Sequence, residues 1–135
     1  MHRYKFRALR DDMADFTFKY GSLVYDEQGN PRILTDVNSM LFTTCVKGTE
    51  GQHIGLHDYN ETDIYEGDVL FIPEWRDGDL VIAESYCEVK FEDGMYVAVG
   101  PGEYDWYPMD KDTIAAYEMV VKGNIHLNKD LIKKK

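Results

Sequence analysis

Two histidines four residues apart, His53 and His57, stand close to Asp58, Glu61 and Asp63, and together these are the donor types a divalent transition metal takes. On a helix that spacing would put both imidazoles on one face. Gly55 between them, and the polar composition from Lys47 to Asp63, argue for a loop in which the same side chains are solvated, so no metal ligand is expected. A second constellation is Glu66 and Asp68 flanking Gly67. Paired carboxylates can do acid–base work when their surroundings drive the two pKa values apart. Placed in a tight turn that enters Val69-Leu70-Phe71-Ile72, they have a simpler use: carboxylate oxygens accept backbone N–H groups that the turn leaves free. Ser22, Ser39 and Ser85 lack a nucleophile elbow, and no glycine-rich phosphate loop is present. The expectation is a protein with no catalytic residue and no cofactor.

Tyr104, Trp106 and Tyr107 interleave with Glu103 and Asp105 after Gly100-Pro101-Gly102. Exposed aromatic rings anchor protein interfaces because they bury much area at low entropic cost. The flanking carboxylates resist stacking on nucleic-acid bases and suit a basic partner or a second copy of the chain. A lid packed on its own core is the competing reading of the same cluster.

The elements that must position these residues read mainly as strands. Tyr4, Phe6 and Ala8 alternate with Lys5, Arg7 and Leu9, the period of a strand with one buried face. A second strand is expected at Phe16 to Tyr20, continuing through Leu23-Val24-Tyr25. Asp26 to Pro31 is turn chemistry and should be a hairpin tip, with Arg32-Ile33-Leu34 returning. The stretch from Val37 to Val46 fits a short helix or a strand equally well. After the polar loop come the strand Val69 to Ile72, ended by Pro73, a turn at Trp75 to Asp79, and Leu80 to Ala83. Tyr86 to Phe91 and Met95 to Val99 flank Asp93-Gly94, a strong two-residue hairpin signal. Short strands at this spacing suggest a small barrel. Tyr117 to Ile125 reads as one more strand, and Asn128 as the cap of a last short helix over Lys129 to Lys134.

The chain length suits one domain with a real core, and two independent domains are not expected. A net charge of −10 repels phosphate backbones, which disfavours non-specific nucleic-acid binding. His2, Arg3, Lys5, Arg7 and Arg10 near one end and Lys129, Lys133, Lys134 and Lys135 near the other form a candidate basic patch if the ends meet. A solvated tail and an edge strand with outward charges is the simpler account. Cys45 and Cys87 lack CxxC spacing, no leader is evident, and no apolar run reaches the roughly 18 residues of a membrane span. The expectation is a cytoplasmic protein with two packed thiols and no membrane partner.

Three blocks resemble the YopX family of phage and prophage proteins. The first is Lys5-Phe6-Arg7-Ala8. The second, Gln52 through Gly55, Leu56 and Asp58 to Ile64-Tyr65-Glu66-Gly67-Asp68-Val69, is similar to the family pattern tGLkDkngkeIyEGDiv. The third, Tyr117 through Gly123-Asn124-Ile125 to Leu131, is similar to yeViGNIyenpeLl. Glu61 replaces a family Gly, which puts a turn needing positive φ in question there, and Lys122 interrupts the usual Ile-Gly-Asn approach. The resemblance implies a single domain over 1–135, with the strands of 1–50 as a candidate sub-domain and a core at about 51–127. The fold implied is mainly β: a small SH3-like barrel with additional strands and a short C-terminal helix. Self-association is implied, and the family brings no established activity with it. The function expected is that of a phage or prophage accessory protein that acts through contacts with its own copies or with a host or phage protein. The alternatives are a nucleic-acid-binding small barrel and an acidic DNA mimic that occupies a host protein's nucleic-acid site.

Overall fold

A computed structural model describes residues 6–11 and 17–132. The chain divides into two compact units, Met1–His53 and Ile54–Lys135. The first holds β1 (Phe6–Leu9), β2 (Phe18–Tyr25), β3 (Pro31–Asp36), β4 (Leu41–Thr44) and the start of β5 (Gly51–His57), in the order β4-β3-β2-β1-β5. Its ladders are antiparallel. Tyr4 and Phe16, expected in the first two strands, lie outside the described residues. Arg7, Ala8 and Leu9 are all buried, which corrects the one-faced alternation expected for β1. The Arg7 guanidinium sits 4.1 Å from the centre of the Phe18 ring, so an aromatic face covers the side chain that alternation would leave in water.

The hairpin tip forms as its residues dictate. Asp26 accepts the N–H groups of Gln28 and Asn30 at 3.0 and 2.8 Å, and Gly29 takes a φ of 83°. Val37 to Met40 make a turn and Leu41–Thr44 a strand, which settles the ambiguous stretch. The core of this unit is Ala8, Ile33 and Cys45 with Phe6 and Leu23 against them. The Val46 N–H donates to the Leu9 carbonyl at 2.8 Å and that of Asp11 to Thr44 at 2.9 Å, so the tail of β1 laces the far end of β4.

The expected loop from Lys47 to Asp63 is interrupted by β5. Gly51 and Gln52 pair with Arg7 and Phe6, and this ladder overrides the weak strand propensity of a Gly-rich, polar segment.

The second unit holds the remainder of β5, then β6 (Asp63–Tyr65), β7 (Asp68–Ile72), β8 (Trp75–Asp77), β9 (Leu80–Ile82), β10 (Ser85–Glu92), β11 (Met95–Val99) and β12 (Trp106–Pro108). Helix α1 (Lys111–Tyr117) and β13 (Val120–Asn124) follow. An antiparallel sheet runs β12-β11-β10-β7-β13. It is open: among the described residues no ladder joins β12 to β13. Asp93 and Gly94 both take positive φ, 50° and 83°, as a two-residue hairpin with the right twist demands.

The strand expected over Tyr117 to Ile125 begins only at Val120, because α1 comes first. Asp110 caps that helix by accepting the Thr113 N–H at 2.7 Å. Glu118, at φ 51°, ends it by returning its N–H to Ala115. Ile114 from α1 and Met119 just after it join Ile64, Leu70, Ile72, Cys87, Val89 and Ala98 in the core. The closing helix expected over Lys129 to Lys134 is a 3-10 turn, Lys129–Leu131, and Lys133 and Lys134 lie outside the described residues. Asn128 stands at its N-cap position, with its carbonyl accepting the Leu131 N–H at 2.9 Å, while its side chain turns back to accept the Asn124 N–H at 3.2 Å.

Both cysteines are free and buried, Cys45 in the first unit and Cys87 in the second. Among the described residues no helix is long and apolar enough to cross a membrane.

Candidate functional site

The motif residues converge on one region of the second unit, although they come from sequence blocks far apart. Asp58 Oδ1 accepts the N–H groups of Asn60 and Thr62, both at 2.8 Å, and Oδ2 accepts that of Val121 at 2.8 Å. The Tyr59 N–H reaches the Met119 carbonyl at 2.8 Å. Gly67, at φ 87°, donates to Val89 and accepts from Ile125, so the Glu66-Gly67-Asp68 bend is clamped between two strands. Asp68 is almost fully buried and accepts the Tyr65 N–H at 2.8 Å. Across the β7–β13 ladder Asp68 faces Asn124, whose Oδ1 accepts the N–H groups of His126 and Leu127 at 3.0 and 2.9 Å. Gly123 lies beside Asn128, and a Cβ there would stand 2.5 Å from the Asn128 Oδ1. Ile64 and Tyr65 are buried, Leu56 packs against the core, and Gly55 takes φ 86°. The Asp58 and Asp68 carboxylates are engaged with backbone donors, which fixes conformation.

Two family departures have local structural answers. Glu61 takes φ 66°, so the turn keeps the positive-φ geometry despite the larger side chain. The register shifts between Val121 and Gly123, and this bulge absorbs Lys122.

His53 and His57 both lie on β5, His53 at the end of the first unit and His57 in the second. His57 Nε2 meets Asp63 Oδ1 at 3.0 Å, both side chains being partly exposed. Among the described residues no three His, Cys, Asp or Glu side chains gather as a metal site. Of the basic residues near the ends, Arg7 is buried and Arg10 bridges to Cys45, while His2, Arg3, Lys5, Lys133, Lys134 and Lys135 lie outside the described residues.

The aromatic cluster is built on a pinned loop. The Gly100 N–H donates to the Asp105 carbonyl at 2.8 Å, the Asp105 N–H to the Gly102 carbonyl at 3.1 Å, and the Gly102 N–H to the Asp105 carboxylate at 2.9 Å. A Cβ on Gly100 would come within 2.8 Å of Asp105 and one on Gly102 within 2.6 Å, so both glycines make room for that side chain. The loop thrusts Tyr104 outward at 86% exposure, and Trp106 on edge strand β12 is half exposed. Tyr107, the next residue, points the other way. It packs against the core and meets Tyr117 edge-on with ring centres 5.1 Å apart, and burial pushes its hydroxyl pKa up. Of the three aromatics, Tyr104 and Trp106 therefore face solvent, while Tyr107 is part of the lid.

A groove of about 530 Å³ opens beside the root of this loop, between Tyr86, Pro101, Leu127 and Leu131. Sequence reasoning missed it because its walls come from separate segments and share no motif.

Residues 5–133 match the family model for YopX, described as the YopX protein. The crystal structure of protein EF1440 from Enterococcus faecalis is similar over 98% of this chain and 100% of that one, at 20% identity and a TM-score of 0.59, a likeness of fold. The comparison with curated proteins finds no match.

Proposed function

Because the chain belongs to the YopX family, we propose that it is a phage or prophage accessory protein without enzymatic activity, which self-associates and acts through protein contacts. The observation that carries this reading is the loop that holds Tyr104 and Trp106 out of the fold while two glycines and Asp105 fix its backbone. A rigid aromatic anchor loses little freedom on binding, so its buried area contributes to affinity with small offset. We read the five-stranded sheet as SH3-like. The support is its order, in which four strands meander from β7 to β12 and the last, β13, returns to pair with the first.

Light scattering on the eluting protein tests self-association: a mass of at least twice 15.7 kDa is expected. A strict monomer would remove that part of the proposal. Affinity capture from host lysate, with and without nuclease, tests the rest. Bands that persist after nuclease and vanish with the Tyr104→Ser/Trp106→Ser variant support it; bands that depend on nucleic acid favour the small-barrel alternative.

A further inference from the structure

Between β7 and β10 the chain leaves the sheet as a separate two-stranded hairpin. The β7–β10 ladder stops at Ile72 and Ser85, and pairing resumes with Trp75 opposite Ile82, Arg76 opposite Val81 and Asp77 opposite Leu80. Pro73 contributes to the break, since it has no N–H for the ladder. Every residue of β8 and β9 is exposed, including Trp75, Leu80, Val81 and Ile82. Strand alternation puts Trp75, Asp77, Leu80 and Ile82 on one face and Arg76 and Val81 on the other. With only two strands, each has an outer edge, and among the described residues no backbone hydrogen bond from another element reaches either one. Such a hairpin is marginal in water unless a third strand or a packing surface joins it.

Charge indicates what joins it. Glu74, Asp77, Asp79 and Glu84 accompany a single cation, Arg76, and that guanidinium is already held by Glu74 with both N–O distances at 3.4 Å. A second copy of the chain would bring the same carboxylates against these ones. We propose that the β8–β9 hairpin is a template for β-augmentation, on which a partner protein adds an extended strand that carries both apolar residues and Lys or Arg on the face it shares with Trp75, Asp77, Leu80 and Ile82. The backbone of that strand pairs with the free edge, its apolar residues cover Trp75, Leu80 and Ile82, and its cations meet Asp77 on that same face and the carboxylates of Asp79 and Glu84, which flank β9 in sequence. This surface is separate from the aromatic loop and extends the contact reading to a partner of defined chemistry.

The test uses the full chain and a fluorescein-labelled peptide that carries Val, Lys and Leu at every second position with Thr between them, followed by anisotropy at low and physiological salt. Control peptides replace Lys by Glu, or the apolar residues by Ser. The first peptide is expected to bind more weakly as salt rises, and both controls to bind at least about tenfold more weakly. Leu80→Ser/Ile82→Ser and Asp77→Asn/Asp79→Asn/Glu84→Gln should each reduce binding by about tenfold or more. Tyr104→Ser/Trp106→Ser should leave it unchanged, so failure of this proposal and failure of the aromatic-loop reading are told apart. Absence of binding at low salt, or equal binding by wild type and both hairpin variants, would overturn the proposal. So would light scattering in which Leu80→Ser/Ile82→Ser turns an oligomer into a monomer, since the hairpin would then be covered by a second copy.

Discussion

Asp58 shows how one side chain can hold distant parts of a chain together. Its first oxygen organises the turn at Asn60 and Thr62, and its second reaches Val121, 63 residues away in sequence. An amide keeps the first function but turns an N–H₂ toward the Val121 donor. Asp58→Asn should therefore destabilise the protein by about 1–3 kcal/mol in urea unfolding, and Asp58→Ala by at least as much. Glu88 is the opposite case. Burial raises its pKa, nearby Lys90 (N–O 3.9 Å) lowers it and Glu92 raises it, with burial the largest effect. An acid whose pKa is higher folded than unfolded contributes stability below its ordinary value of 4.5, and that contribution is lost as pH rises through the folded value. Glu88→Gln should thus raise the melting temperature at pH 7, by about 1–3 °C, and lose this advantage near pH 4.

At the scale of elements, the aromatic loop is the segment whose geometry can be altered with the least collateral change. Gly102→Ala should displace the Asp105 carboxylate from the Gly102 N–H. Amides of 102 and 105 should then exchange about tenfold faster, while global stability changes by less than about 1 kcal/mol. Much of the element pattern could be read from the residues. Asp93-Gly94, Asp26 to Asn30 and Val69 to Ile72 gave strong local signals, and each stands where its chemistry places it. Helix α1 was missed because it has only seven residues and buries Ile114 alone, too little for a helical period, although Asp110 offered a cap signal. Strand β5 was missed because its stability comes from pairing with β1, a distant contact that Gly51, Gly55 and two histidines do not announce. The aromatic cluster was legible as a group, but the opposite orientations of Trp106 and Tyr107 depend on β12 pairing with β11, and a three-residue strand ending in Pro108 leaves little trace. The exposed hairpin was half legible: Leu80-Val81-Ile82 read as a strand, while its separation from the core did not show.

For the whole molecule, the two units differ in how much apolar matter they enclose. The first has a small core around Ala8, Ile33 and Cys45, and the second a larger one whose buried residues come from β6, β7, β10, β11 and α1, with Met119 just after it. Smaller cores open at lower free energy, so native-state exchange should release the amides of β2 and β3 before those of β7 and β10; the reverse order would contradict this difference. The location of sulfur has a practical corollary. Each unit conceals a single free thiol, and burial raises the Cys45 pKa, which keeps it protonated while the fold is closed. An alkylating reagent would have to wait for each interior to gape, and Cys45→Ser and Cys87→Ser chains would then time the two events separately, with no dye or label engineered into the protein.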